Sequence, residues 1–199
     1  MNRASRAHAH LWIAMLVSFV CLAGCGQPAK HSEATGTSPS AASQPSPHDV
    51  ATSFHTTLAR LHPSGAPTEA QRAELAPLVS REFLALLARA DSVRSAARRA
   101  APGEKPPFTD GDLFSSLFEG PTSFATSEAE SIAVDAWRVP VALEHAPAGT
   151  PPTRWTDTLL VRIEAGRPVV CDVRFDGTWD FASKGSLLAR LRRDLGGAH

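Results

Sequence analysis

Residues 154–176 read RWTDTLLVRIEAGRPVVCDVRFD, and their alternation decides the fold class. Leu159, Val161 and Ile163 stand at every second position, as do Val169, Cys171, Val173 and Phe175. A period of two puts each set on one face of an extended strand, so the stretch predicts strands over 154–164 and 168–176 with a turn between them. Both sets are odd-numbered. For them to meet one core in an antiparallel pair, opposed residue numbers must sum to an even number, which calls for a turn with an odd count of residues. A three-residue turn at Ala165-Gly166-Arg167 meets the condition and sets Ile163 opposite Val169, Val161 opposite Cys171 and Leu160 opposite Asp172.

Toward the N-terminus, residues 131–144 predict a further strand whose apolar positions change parity, from Ile132 and Val134 to Trp137, Val139, Val141 and Leu143. A bulge near Asp135 or Ala136 reconciles the two sets. Pro140 donates no ladder hydrogen bond, which makes this an edge strand or turns the proline toward an unpaired side. Toward the C-terminus, Leu187, Leu188, Leu191 and Leu195 mark a closing amphipathic helix with Arg190, Arg192 and Arg193 mostly outward.

Upstream of the strands the period is helical. Val50, Phe54, Leu58 and Leu61 recur after a start at Pro47 and Asp49 and run to His62. Thr68 and Gln71 form a capping box for a second helix through Leu78, and Ser80 caps a third that carries Phe83, Leu84, Leu86, Leu87, Ala90 and Val93. Residues 102–120 hold Pro106-Pro107, Asp110-Gly111 and Gly120-Pro121 and read as a long loop with room for one helical turn over 113–118. Its Phe108, Leu113, Phe114, Leu117 and Phe118 are too apolar for solvent and are expected to lid one edge of the core. Helices followed by an antiparallel meander predict one α+β domain over 48–199, helices covering one sheet face.

Three segments also carry a resemblance: PPFTDGDLF at 106–114, VCDVRF at 170–175 and GSLL at 185–188. They resemble an uncharacterised family of bacterial envelope proteins with a nuclear-transport-factor-2-like, or cystatin-like, domain. That resemblance implies a cone in which a curved antiparallel sheet wraps against helices, with a C-terminal helix. The chain departs from the pattern at Cys171.

The N-terminal residues supply an address. Arg3 and Arg6 precede an apolar run from Leu11 to Leu22, about the length of a signal-peptide core and too short for a membrane span. Leu22-Ala23-Gly24-Cys25 resembles the lipobox of bacterial lipoprotein precursors. The resemblance implies removal of residues 1–24 and a diacylglycerol and an amide-linked acyl chain on Cys25, enough hydrocarbon for stable anchoring. Gly26 after the cysteine then implies the outer membrane, facing the periplasm. Residues 25–47, rich in Ser, Pro, Ala, Gly and Thr, read as a disordered tether. With Cys21 in the signal and Cys25 lipidated, Cys171 alone remains, so no intrachain disulfide forms. Twenty basic residues balance twenty acidic ones over the whole chain, and loss of Arg3 and Arg6 leaves a net of about −2. That charge offers no footprint for nucleic acid.

Candidate chemistry is sparse. Cys171, on the core face by alternation, is expected to be inert filler. His48, His55 and His62 fall seven residues apart, about 10.5 Å along a helix, too far to share one metal, and are expected to edge the buried stripe and face solvent. Of the strand acids Asp135, Asp157 and Asp172, the last is the best proton-transfer candidate, on a polar face with Arg162 and with Arg174 as charge partner. Trp137, Trp155 and Trp179 are candidates to line a pocket. The chain has no Tyr, which weighs against an isomerase of the Tyr and protonated-Asp type. No phosphate-cradling glycine loop, metal-spaced His pair or serine elbow is present, so no cofactor or metal is expected. Three function classes stay open: a non-catalytic module binding an envelope protein or small apolar ligand, an acid-base enzyme using Asp172, and an inhibitor or immunity protein.

Overall fold

The computed structural model describes residues 44–196. The expected signal segment 1–24, the expected lipidation at Cys25 and the expected tether as far as residue 43 lie outside the described residues. Helices α1 (Pro47–Leu61), α2 (Glu69–Leu75) and α3 (Arg81–Ala100) come first. Strands β1 (Ser123–Thr126), β2 (Glu130–Ala133), β3 (Ala136–His145), β4 (Thr153–Glu164), β5 (Arg167–Phe175) and β6 (Gly185–Ser186) follow, and α4 (Leu187–Gly196) closes the chain. The strands form one curved antiparallel sheet in the order β1-β3-β4-β5-β6, with β2 also pairing β3.

Local chemistry starts each helix where the sequence places a cap. Ser46 and Asp49 form a capping box at α1, Thr68 and Gln71 one at α2, and Ser80 Oγ accepts Phe83 N at 3.2 Å to open α3. α2 stops at Leu75, three residues before the expected end. Residues 78–80 then join the sheet edge, with Val170 N donating to Leu78 O (2.8 Å) and Ser80 N to Val170 O (2.9 Å).

The odd-numbered residues of β3 and β4 form the buried face. Val139, Val141, Leu143, Leu159 and Val161 pack with Phe54 of α1, Phe83 and Leu87 of α3 and Leu191 of α4 in one core. Arg138, Ala142, Thr156 and Arg174 are exposed on the other face. The domain is thus α+β, with α1, α3 and α4 packed against the sheet.

The β4–β5 hairpin corrects the expected register. Its turn has two residues, since Glu164 pairs with Arg167, and Ala165 (φ 51°) and Gly166 (φ 77°) are both left-handed, as a type I′ turn requires. Ile163 faces Pro168 and Val161 faces Val170, while Leu160 still faces Asp172, so Cys171 is the extra residue of a bulge. Cys171 is accordingly half-buried rather than on the core face, which Val170 takes instead.

The expected strand over 131–144 is a hairpin. Ala133 pairs with Ala136 around Val134 and Asp135, and Asp135 (φ 58°) takes the left-handed conformation that Asp tolerates. The parity change therefore marks a reversal of the chain. β3 is also no edge, because β4 flanks it on one side and β1 and β2 on the other. Pro140 fits there because its carbonyl accepts Ser127 N (2.8 Å) at the break between β1 and β2. Residues 113–118 form turns and bends instead of a helical turn.

Candidate functional site

The last turns of α1 carry the first wall. Phe54 and Leu58 enter the core, and His55 beside them is 4% exposed. Its ring meets Phe54 edge-on (centroids 5.6 Å apart) and lies against Phe124 of β1 at 5.2 Å. Burial among these rings lowers the imidazole pKa to about 4, and Nε2 has no hydrogen-bond partner among the described residues. The expectation that all three α1 histidines face solvent therefore fails at His55. His48 is half-buried and meets Thr126 Oγ1 (3.1 Å), and His62 is exposed at the C-cap with φ 41°.

The left-handed cap turns the chain toward the 102–121 loop, which Gly65 N and Ala66 N bind through Gly111 O (2.7 Å) and Phe108 O (2.9 Å). Within the loop, Asp112 N donates to Phe118 O (2.7 Å), and Asp112 Oδ1 accepts Phe114 N (2.7 Å). Oδ2 accepts no hydrogen bond among the described residues. Gly120 (φ +74°) passes so close that a Cβ there would lie 2.5 Å from Oδ2, so glycine is what leaves the carboxyl its place. Burial pushes the Asp112 pKa up to about 6; the Phe114 N–H and Arg190 oppose the rise and Asp157 adds to it.

Between α1, this loop and β1 lies a cavity of about 290 Å³. His55, His62, Asp112 and Glu119 give it titratable groups, and Phe114, Phe118 and Phe124 give it aromatic walls. Neither Lys nor Arg lines it. Phe114 and Leu117 bury themselves as the lid expectation requires, but Phe118 is 59% exposed at the rim.

Asp157 holds the loop against the sheet. Its carboxylate accepts Ser116 N (2.8 Å), Ser116 Oγ, Trp155 Nε1 (3.1 Å) and Asp176 N (3.0 Å), leaving it no room as a base. Arg190 of α4 donates to Ser183 Oγ and Leu113 O and covers the Phe175 ring at 4.8 Å.

Asp172 lies away from the cavity and caps α4. It accepts Ser186 Oγ (2.5 Å), Leu188 N (3.0 Å) and Val173 N (2.8 Å). Arg174 is exposed across from Thr158 and Ser186. Trp137 is half-buried opposite Val161, and Trp155 is buried opposite Leu143. Val161, the partner of Trp137, lies six positions from Trp155 along β4, about 20 Å of strand, so the two rings stand far apart. Trp155 instead packs edge-on against Trp179 and lines an open depression over β1, β3 and β4. Asp135 sits exposed in its turn. At Cys171 burial raises the thiol pKa, which keeps it protonated and a poor nucleophile.

What sequence spacing misses is that His55 and Asp112 line one cavity. Its visible signal was an acid inside a loop too apolar for solvent, flanked by Gly111 and followed by Gly120. No family model matches the chain, and no curated protein or solved structure gives a match.

Proposed function

We propose that the chain is an outer-membrane lipoprotein anchored through Cys25, whose cystatin-like cone serves as a non-catalytic module that binds a small ligand from the periplasm. The observation that carries the binding role is the cavity itself, lined by Asp112, whose Oδ2 accepts no hydrogen bond among the described residues, and by Phe114, Phe118 and Phe124. The lipobox at Cys25 and the Ser- and Pro-rich tether support the address, and the curved sheet with helices on one face supports the cone.

A second reading has its own observation. Asp112 and His55 share one cavity and their pKa values are displaced in opposite directions, the arrangement that assigns acid and base roles in many enzymes. Under that reading the acid-base chemistry belongs to Asp112 rather than Asp172, whose carboxylate is spent on α4.

Native mass spectrometry of the full chain, released gently from envelope membranes, tests the binding role. A bound small molecule is expected, and Ala59→Trp, on the exposed α1 face that lines the cavity, should displace it. A ligand that survives Ala59→Trp, or a stoichiometric protein in its place, rejects the cavity as the binding site. Turnover of the bound molecule that stops in Asp112→Asn replaces binding with catalysis.

A further inference from the structure

We propose that the cavity takes a small organic ammonium ion, its nitrogen at Asp112 Oδ2 and its apolar body against Phe118 and Phe124. This deepens the binding role proposed above and rests on it.

The charge lining the cavity selects among ligand classes. Asp112 and Glu119 supply two acids, and no Lys or Arg answers them from the walls, so an anion meets repulsion and no partner. A neutral ligand can fill the volume but leaves Asp112 Oδ2 with at most a neutral donor. An ammonium gives it a charge-assisted one, roughly twice as strong. Phe118 and Phe124 in the lining add aromatic rings, whose π-electrons attract a cation and not an anion.

The imidazole of His55 fits the selection. It stays neutral down to about pH 4 because its ring is buried, so above that pH this ring sets no positive charge beside the ligand. The groups facing Asp112 are Asp157 from β4, Arg190 from α4, His55 and His62 from the end of α1, and Glu119 from its own loop. Arg190 is the one permanent cation among them, and Leu113 O and Ser183 Oγ occupy its guanidinium outside the cavity lining. The volume of about 290 Å³ suits a molecule of roughly the size of a benzylamine and excludes a folded peptide.

Three probes of similar size decide the matter by calorimetry on the full-length protein: benzylammonium, benzyl alcohol and benzoate. Benzylammonium is expected to bind at least about tenfold more tightly than the alcohol, with benzoate weakest. Its affinity should fall about tenfold between roughly pH 7.5 and pH 5 as Asp112 gains a proton. Asp112→Asn keeps an oxygen for Phe114 N, so it should abolish the cation preference and its pH dependence, roughly 30-fold in benzylammonium affinity, and cost the alcohol no more than about threefold. Alcohol binding in that variant reports an intact cavity. Phe118→Ala, at an exposed rim position where folding is not at risk, should weaken benzylammonium about fivefold. Equal binding of alcohol and ammonium, or a preference that survives Asp112→Asn, overturns the ammonium while leaving the cavity a binding site. Failure of all three probes overturns both.

Discussion

An unfolded chain protonates a histidine near pH 6.5, whereas His55 in the folded protein stays neutral until about pH 4. Between those values the unfolded state holds the extra proton. The stability that goes with burying a neutral ring is therefore complete above about pH 6.5 and is lost as pH falls toward 4, by on the order of 3 kcal/mol. Asp112 works the other way. Its folded carboxyl keeps a proton up to about pH 6, while the unfolded one releases it near 3.8, so its contribution is complete below 3.8 and is lost as pH rises through 6. Between about pH 4 and 6 the two slopes oppose each other. Urea unfolding across that range should show the stability of Asp112→Asn rising with pH and that of His55→Phe falling, with the parent chain flatter than either. Variants that run parallel to the parent refute the opposed burial of these groups. The sequence held a partial signal for His55. Ala51 is fully buried, and counting it with Val50, Phe54 and Leu58 widens the apolar stripe of α1 until His55, four residues later, falls inside it.

At the scale of elements, the caps of α2 and α3 and the strands β4 and β5 were legible because each is set within a few residues of itself, whereas the α4 cap comes from Asp172 on another strand and was not. The register near the β4–β5 turn was not, for a reason of parity. An odd-length turn without a bulge and a two-residue turn with one give the same pairing beyond the bulge, and Leu159 opposite Val173 satisfies both. Only the left-handed Ala165 and Gly166 distinguish them. Ala165 bears the strain of that conformation, while Asn accepts it readily and is favoured in this turn. Ala165→Asn should thus raise stability by about 1 kcal/mol in thermal unfolding, whereas a three-residue turn would gain nothing. β1 escaped notice because Phe124 is its one large apolar residue. The link from β4 to the loop rests on Asp157. Asp157→Ala strands four donors at a buried site and should cost roughly 3 to 5 kcal/mol, read as a fall in the urea midpoint. It should also weaken ligand binding, since the Ser116 end of the loop is then unheld. A loss below about 1 kcal/mol would mean that the loop is fixed by its apolar residues alone.

At the scale of the whole molecule, the cavity is assembled from the end of α1 and, more than forty residues later in the chain, the 102–121 loop and β1, whose meeting with α1 no local pattern encodes. The address has the opposite character, being proposed from contiguous residues around Cys25 that lie outside the described part of the chain. The two separate cleanly in experiment. α1 is capped at Ser46, and the core of the domain draws on residues from Val50 onward, so unfolding of the domain should be indifferent to what happens at residue 25. Attachment should depend on it wholly. With twenty basic against twenty acidic residues, the chain has no net positive charge to hold it to an anionic surface, and more than one acyl chain is needed for stable anchoring. Cys25→Ala should consequently move the protein from the membrane to the soluble fraction, abolish incorporation of labelled palmitate and leave the unfolding midpoint unchanged. The parent protein should resist a high-salt wash and yield to detergent. Retention of Cys25→Ala in the membrane fraction, or release of the parent by salt, would remove the lipid anchor from the account and leave the cavity and its ligand to be explained without it.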